Sequence, residues 1–194
     1  SHPALDWLNS YGIRLLEPFS SQWFYGDSIF IIDIWIWAAL IAGVWLSRRR
    51  EKKGGGNWQR PAWISFAIVC AYIFANGMIT GKAEAETKSL LDSDVAETGN
   101  SGPIADQPEM VVANPLPLQF WKREILWRNE SAYGSGSYSL FEGLLLGEKH
   151  GIPGNSEFLA REMTRSDKNA AAFLFWSRMP IIKTVGAREP IKDQ

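Results

Sequence analysis

His2 and Asp6 stand four residues apart in the opening segment Ser1-His2-Pro3-Ala4-Leu5-Asp6-Trp7-Leu8-Asn9-Ser10-Tyr11-Gly12. Pro3 is well tolerated in a first helical turn, so the segment predicts a short helix beginning near His2, on which residues four apart lie over one another. A neutral imidazole and a carboxylate on one face can reach the same cation. The mixed nitrogen and oxygen set suits a divalent metal such as zinc, manganese or iron better than calcium. Two ligands do not complete such a site. The same spacing also serves an ordinary helix start, with His2 flanking the helix and Asp6 paired with Arg14 or facing solvent. Asp33 is the third candidate, a carboxylate inside the apolar run Ile29-Phe30-Ile31-Ile32-Asp33-Ile34-Trp35.

These three residues are positioned by the apolar run that follows the opening segment. Residues 28 to 46 are almost wholly apolar over close to the roughly 20 positions that a helix needs to cross a hydrocarbon core. A carboxylate at mid-membrane is disfavoured by about 2.5 to 3.5 kcal/mol, so Asp33 is expected to face a cavity, a partner or the hydrated rim. Two readings follow. Asp33 is either a hydrated rim residue or a third ligand or acid/base group beside His2 and Asp6. Ahead of it, Pro18 and Ser20-Ser21 predict a connection, and Trp23, Phe24 and Tyr25 an interfacial aromatic belt.

Residues 62 to 80 form a second apolar run, with Pro61 and Trp63 at its start and Asn76 and Gly77 as its interruptions. Between the runs lies Ser47-Arg48-Arg49-Arg50-Glu51-Lys52-Lys53, then a glycine-rich turn to Arg60. A short loop this basic is expected to face the cytoplasm, which makes the two runs a transmembrane helical hairpin with both outer ends on the far side of the lipid bilayer. The run is too short, and too closely held between spans, to read as a nucleic-acid surface. The formal net charge of -1 gives no global signal for nucleic acid either. Ten Trp residues, several beside the apolar runs, agree with interfacial placement. The single cysteine, Cys70, cannot form an internal disulfide.

The run His2-Pro3-Ala4-Leu5-Asp6-Trp7-Leu8-Asn9-Ser10-Tyr11-Gly12, then Leu15-Leu16-Glu17-Pro18-Phe19-Ser20, then Phe30-Ile31-Ile32-Asp33, resembles the signature of the YdjM-like family of membrane-bound metal-dependent hydrolases. A weaker likeness returns over residues 113 to 138. The resemblance implies a bacterial inner-membrane location, a divalent metal (zinc or manganese) at His2 and Asp6, and a catalytic role for Asp33. It also implies an earlier His-Arg-Gly-x-x-His-Ser motif on upstream membrane-embedded helices. Nothing of that kind precedes Ser1, so the sequence is expected to be a fragment lacking its front.

From residue 81 to about 109 the chain turns acidic and poor in bulky apolar side chains, which predicts a linker, with a short helix between Ser89 and Val95. Residues 110 to 194 predict a small α+β domain outside the membrane. Strands are expected near Phe120–Trp127 and Tyr138–Gly143, with Asn129 and Gly134-Ser135-Gly136 as turns. Helices are expected after Asn155 or Ser156 and from Asp167 to Arg178, ended by Pro180, with a closing strand at Ile181–Val185. No nucleophile motif, phosphate loop or CxxC pair occurs there, and His150 is expected to be solvated.

The expected divisions are therefore residues 1–27, a motif helix and connection; 28–80, the transmembrane hairpin; 81–109, the linker; and 110–194, the extracytoplasmic α+β domain. Two functions compete. One is a membrane-bound hydrolase in which a metal activates water, at a rim that suits a lipid-derived or membrane-delivered substrate. The other is a non-catalytic membrane-anchored interaction or regulatory protein, in which His2 and Asp6 stabilise the junction between helix and membrane.

Overall fold

The computed structural model describes residues 2–97, 107–154 and 156–181, with backbone alone at 94–97. The architecture is α+β: helices α1 (His2–Leu8), α2 (Ile34–Lys52) and α3 (Arg60–Glu97), strands β1 (Met110–Pro115), β2 (Lys122–Arg128), β3 (Ala132–Ser139) and β4 (Gly143–Gly151), then α4 (Ser156–Ser166) and α5 (Lys168–Trp176).

The first apolar run becomes helical later than its composition predicts. Asp33 adopts extended backbone and its Oδ1 accepts from the N–H groups of Trp35 and Ile36. This is an N-cap, which satisfies donors that the first helical turn would otherwise leave open. The helix therefore begins at Ile34 and its apolar part ends before Arg48, a length of about 20 Å at 1.5 Å per residue, short of the roughly 30 Å of a hydrocarbon core. Two equal spans were expected. Among the described residues, α3 is the one helix long and apolar enough to cross a membrane, over Arg60–Ser93.

α2 and α3 pack antiparallel through small and hydroxylated residues. Ser65 donates to the Ala39 carbonyl at 2.5 Å, and the Ala62 N–H donates to Ser47 Oγ at 3.1 Å. Gly43 faces Ser65 so closely that a Cβ on Gly43 would collide with the serine side chain. The bulky side chains point the other way: Trp37, Ile41 and Trp45 on α2, and Trp63, Phe66 and Phe74 on α3, are exposed while Ser47, Ser65 and Asn76 are buried.

α3 does not stop where the acidic stretch begins. It runs on to Glu97, through the expected linker, because Lys82-Ala83-Glu84-Ala85-Glu86 is made of strong helix formers with a Lys82–Glu86 pair at 3.5 Å. Its inward face also has something to pack on. Ala83 is fully buried with Ala113, Ile125, Trp127, Ala132 and Tyr138, the core between α3 and the sheet. Of the rest of the expected linker, residues 98–106 lie outside the described residues.

The sheet is a four-stranded antiparallel meander in the order β1-β2-β3-β4. Asn129 builds the β2–β3 turn as expected, its Oδ1 accepting from the Ala132 N–H at 2.6 Å, whereas Gly134-Ser135-Gly136, also expected as a turn, sits inside β3. The glycines serve close packing. A Cβ on Gly136 would stand 2.6 Å from the Leu145 carbonyl oxygen of β4. β4 itself was not anticipated. It carries His150, which is exposed as expected but stands on a strand rather than beside a loop, its ring tilted against Tyr133 with centroids 5.3 Å apart. Both C-terminal helices form as expected, α5 with Asp167 as its N-cap. Ile181 belongs to no strand, and the remainder of the expected closing strand lies outside the described residues.

Candidate functional site

His2 and Asp6 meet as their spacing predicts, with His2 Nδ1 2.8 Å from Asp6 Oδ2 on an exposed face of α1. This contact turns the carboxylate toward the imidazole and leaves Nε2 as the outward nitrogen. A carboxylate behind a histidine is a familiar arrangement for orienting a metal ligand, but it supplies one donor where a catalytic zinc takes three.

Asp33 is engaged elsewhere. One of its oxygens caps α2 and the other accepts from Tyr72 of α3 at 2.9 Å, which spends most of its acceptor capacity on tying the two helices together. Among the described residues, no group of three or more His, Cys, Asp or Glu side chains is arranged to hold a metal ion. The described residues by themselves therefore do not complete a zinc or manganese site.

A different polar centre, invisible in the residue pattern, forms where the helices meet the sheet. Arg123 of β2 is fully buried. Its Nη2 donates to Asn76 Oδ1 and to the Asn76 carbonyl, its Nε donates to Thr80 Oγ1 at 3.0 Å, and its Nη1 donates to the carbonyls of Phe120 and Lys122. Burial pulls the guanidinium down to about 10, against the opposing influence of Tyr72, Asp27 and Asp33, so it stays charged at neutral pH. Thr80 in turn donates to the Asp27 carbonyl at 2.7 Å. Asn76 and Thr80 are four apart on α3 and face the same way, which is the one signal the sequence carried for this centre.

Asp27 has its side chain 3% exposed and pairs with Arg178, just beyond α5, across 151 residues of chain. Its second oxygen has no hydrogen-bond partner among the described residues. The Arg178 guanidinium also stacks over the Tyr25 ring, 4.2 Å from the centroid. Burial raises the Tyr25 phenol above its ordinary range, with Arg178 lowering it and Asp27 raising it. Further contacts hold α5 to the opening segment. Tyr11 stacks on Trp176 at 6.1 Å, and Arg14 lies over both Trp23 and Phe175.

Between these parts opens a cleft of about 450 Å³, with apolar walls from Ile29, Ile31, Leu116 and Trp176 and polar groups from Glu124 and Arg178. The N–H groups of Ser28 and Ile29 donate to the Leu8 carbonyl at the end of α1, so the motif helix is fastened to one wall. The cleft can take an amphiphile: it offers an apolar slot beside a cation and a carboxylate.

No curated protein and no solved structure matches the chain. Residues 1–83 do match a family, described as YdjM inner membrane protein. The match takes in α1, the connection, α2 and most of the apolar part of α3, and it stops where α3 enters the core of the sheet. Over these first 83 residues the chain is similar to a family of inner membrane proteins, and α2 and α3 carry an outward apolar surface around an interior of serine, glycine and asparagine.

Proposed function

We propose that this is a membrane-anchored protein whose α+β domain binds a lipid-derived or membrane-delivered molecule at the bilayer rim. The observation that carries the reading is the position of the cleft. Ile29 and Ile31 line it and lead within a few residues into α2, so it opens where the apolar helices leave the bilayer. In this reading α2 and α3 insert together as a hairpin. The apolar part of α2 is completed by the preceding isoleucines, and Arg48, Arg49 and Arg50 extend to the headgroups. The basic loop is cytoplasmic and the sheet extracytoplasmic, in line with the positive-inside rule.

The test is photocrosslinking of the full chain in lipid nanodiscs with a diazirine-bearing phospholipid. Adducts are expected on peptides containing Ile31 and Leu116 as well as on α2 and α3. Leu116→Trp, which fills the cleft, is expected to remove the adducts around Ile31 and spare those on the helices. Adducts confined to α2 and α3 in both proteins would defeat the reading.

A second reading, metal-dependent hydrolysis, is favoured by the His2–Asp6 contact. Nε2 of His2 would be one ligand of zinc or manganese, and the remaining ligands would come from a segment preceding this sequence. A bound divalent ion supplies an activated water near neutral pH. Metal analysis of the full-length protein beside its His2→Ala variant distinguishes the readings. Equal metal content, or none, removes the hydrolase.

A further inference from the structure

We infer that the two sheet loops nearest the helix pair, 116–121 between β1 and β2 and 140–142 between β3 and β4, dip into the headgroup layer and make a second membrane contact. The direction of the sheet carries the argument. Along α3, Asn76 and Thr80 meet Arg123, while Ala83 packs in the core with Ile125 and Trp127, so β2 runs away from the bilayer as α3 does. The end of the sheet holding Pro115, Lys122, Ser139 and Gly143 is then membrane-proximal, and the turn at Asn129–Ser131 is distal.

The proximal end carries large apolar side chains without cover. Leu118 is 58% exposed and Phe141 82%, and Phe120 and Leu140 are exposed beside them. The two loops are joined, since the Leu140 N–H donates to the Trp121 carbonyl and Lys122 pairs with Glu142 at 3.3 Å.

This patch is continuous with the apolar flank of the helix pair, which selects lipid as its occupant. Trp35 Nε1 donates to the Leu118 carbonyl at 3.1 Å, and the Phe120 ring packs edge-on against both Trp35 and Tyr72. Leu118 is held there with φ +70, a conformation unusual for leucine. Trp35 is itself exposed at the start of α2. Aromatic and aliphatic tips next to a lysine, at the depth where an indole lies, fit the interfacial zone of a bilayer.

The proposal rests on membrane insertion of α2 and α3, and its test separates the two. In a Cys70→Ala background, single cysteines replace Val44, Leu140, Phe141 or Glu130, each bearing an environment-sensitive fluorophore, with the full chain in phosphatidylcholine–phosphatidylglycerol vesicles. Lipids with a nitroxide near the glycerol are expected to quench the labels at 140 and 141 about twofold more strongly than the label at 130, and iodide the reverse, as for side chains at the headgroup boundary. Labels at 140 and 141 as open to iodide as that at 130 would overturn the proposal. So would protection from iodide without lipid quenching, which would mean a protein covers the patch. Loss of lipid quenching at 44 would overturn the insertion of the helix pair, and the loop contact with it.

Discussion

Arg123 grips Asn76 twice, its Nη2 reaching both the side-chain oxygen at 2.8 Å and the backbone carbonyl at 3.0 Å. This joins the second residue of β2 to the Asn76–Thr80 turn of α3, so the sheet and the helix pair share one buried charge. Asn76 and Thr80 are buried polar residues on the inward side of a largely apolar helix, and the contact explains why they are tolerated there.

Replacing Arg123 with Met should destabilise the domain by on the order of 3 kcal/mol, because five acceptor contacts are lost and buried oxygens are left without donors. Arg123→Lys should recover only part of this, since an ammonium lacks the planar fork that spans Asn76 and Thr80. Thermal unfolding in detergent would check both; a wild-type midpoint for Arg123→Met would show that the contact contributes nothing.

Gly43→Ile should separate α2 from α3 at their closest approach, where even a Cβ meets Ser65. In the Cys70→Ala background, cysteines at Ala39 and Ser65 should cross-link readily with glycine at 43 and several-fold more slowly with isoleucine. Equal rates would mean that the helices do not depend on this contact.

Arg178→Ala should free α5 from the opening segment. Asp27 would be left buried and unpaired, a change expected to cost about 3 to 5 kcal/mol. The double variant Asp27→Asn with Arg178→Ala should be less damaged than the two single changes summed, because the residues form one pair. Proteolysis between 156 and 181 under native conditions is the readout, and strict additivity would count against the pair.

Gly136→Ala should weaken the β3–β4 pairing by about 1 to 3 kcal/mol, the usual penalty for forcing an atom into filled space, here against the Leu145 carbonyl. Amide exchange in β4 should speed up while that in α2 is unchanged. Unaltered exchange in β4 would show that the strands have room to part.

For orientation, cysteines at Gly55 and Glu130 in the Cys70→Ala background should differ toward an impermeant thiol reagent in intact cells, with labelling at 130 only. Labelling at 55 alone would mean the opposite topology.

Some of this protein was already decided by local chemistry. The α1 helix with its His2–Asp6 contact, the apolar character of both long helices and the basic loop between them follow from spacing and composition. So does the capping of α5 by Asp167, because a cap depends on the residues immediately around it. Other features depended on partners far along the chain. Lys82–Glu97 reads as a solvated acidic linker until the sheet covers Ala83, and Gly134-Ser135-Gly136 reads as a turn until Leu145 and Trp127 lie against its bare backbone. The polar centre is the clearest case. Asp27, Asn76, Arg123 and Arg178 are scattered over 151 positions with no common spacing, and a buried charge is stable only where the fold delivers its partners. Tertiary structure also gave Asp33 its neighbours. The residue pattern left a hydrated rim residue, a third ligand or an acid/base group open; Asp33 caps the start of α2 locally, and only the fold brings the Tyr72 hydroxyl to its second oxygen.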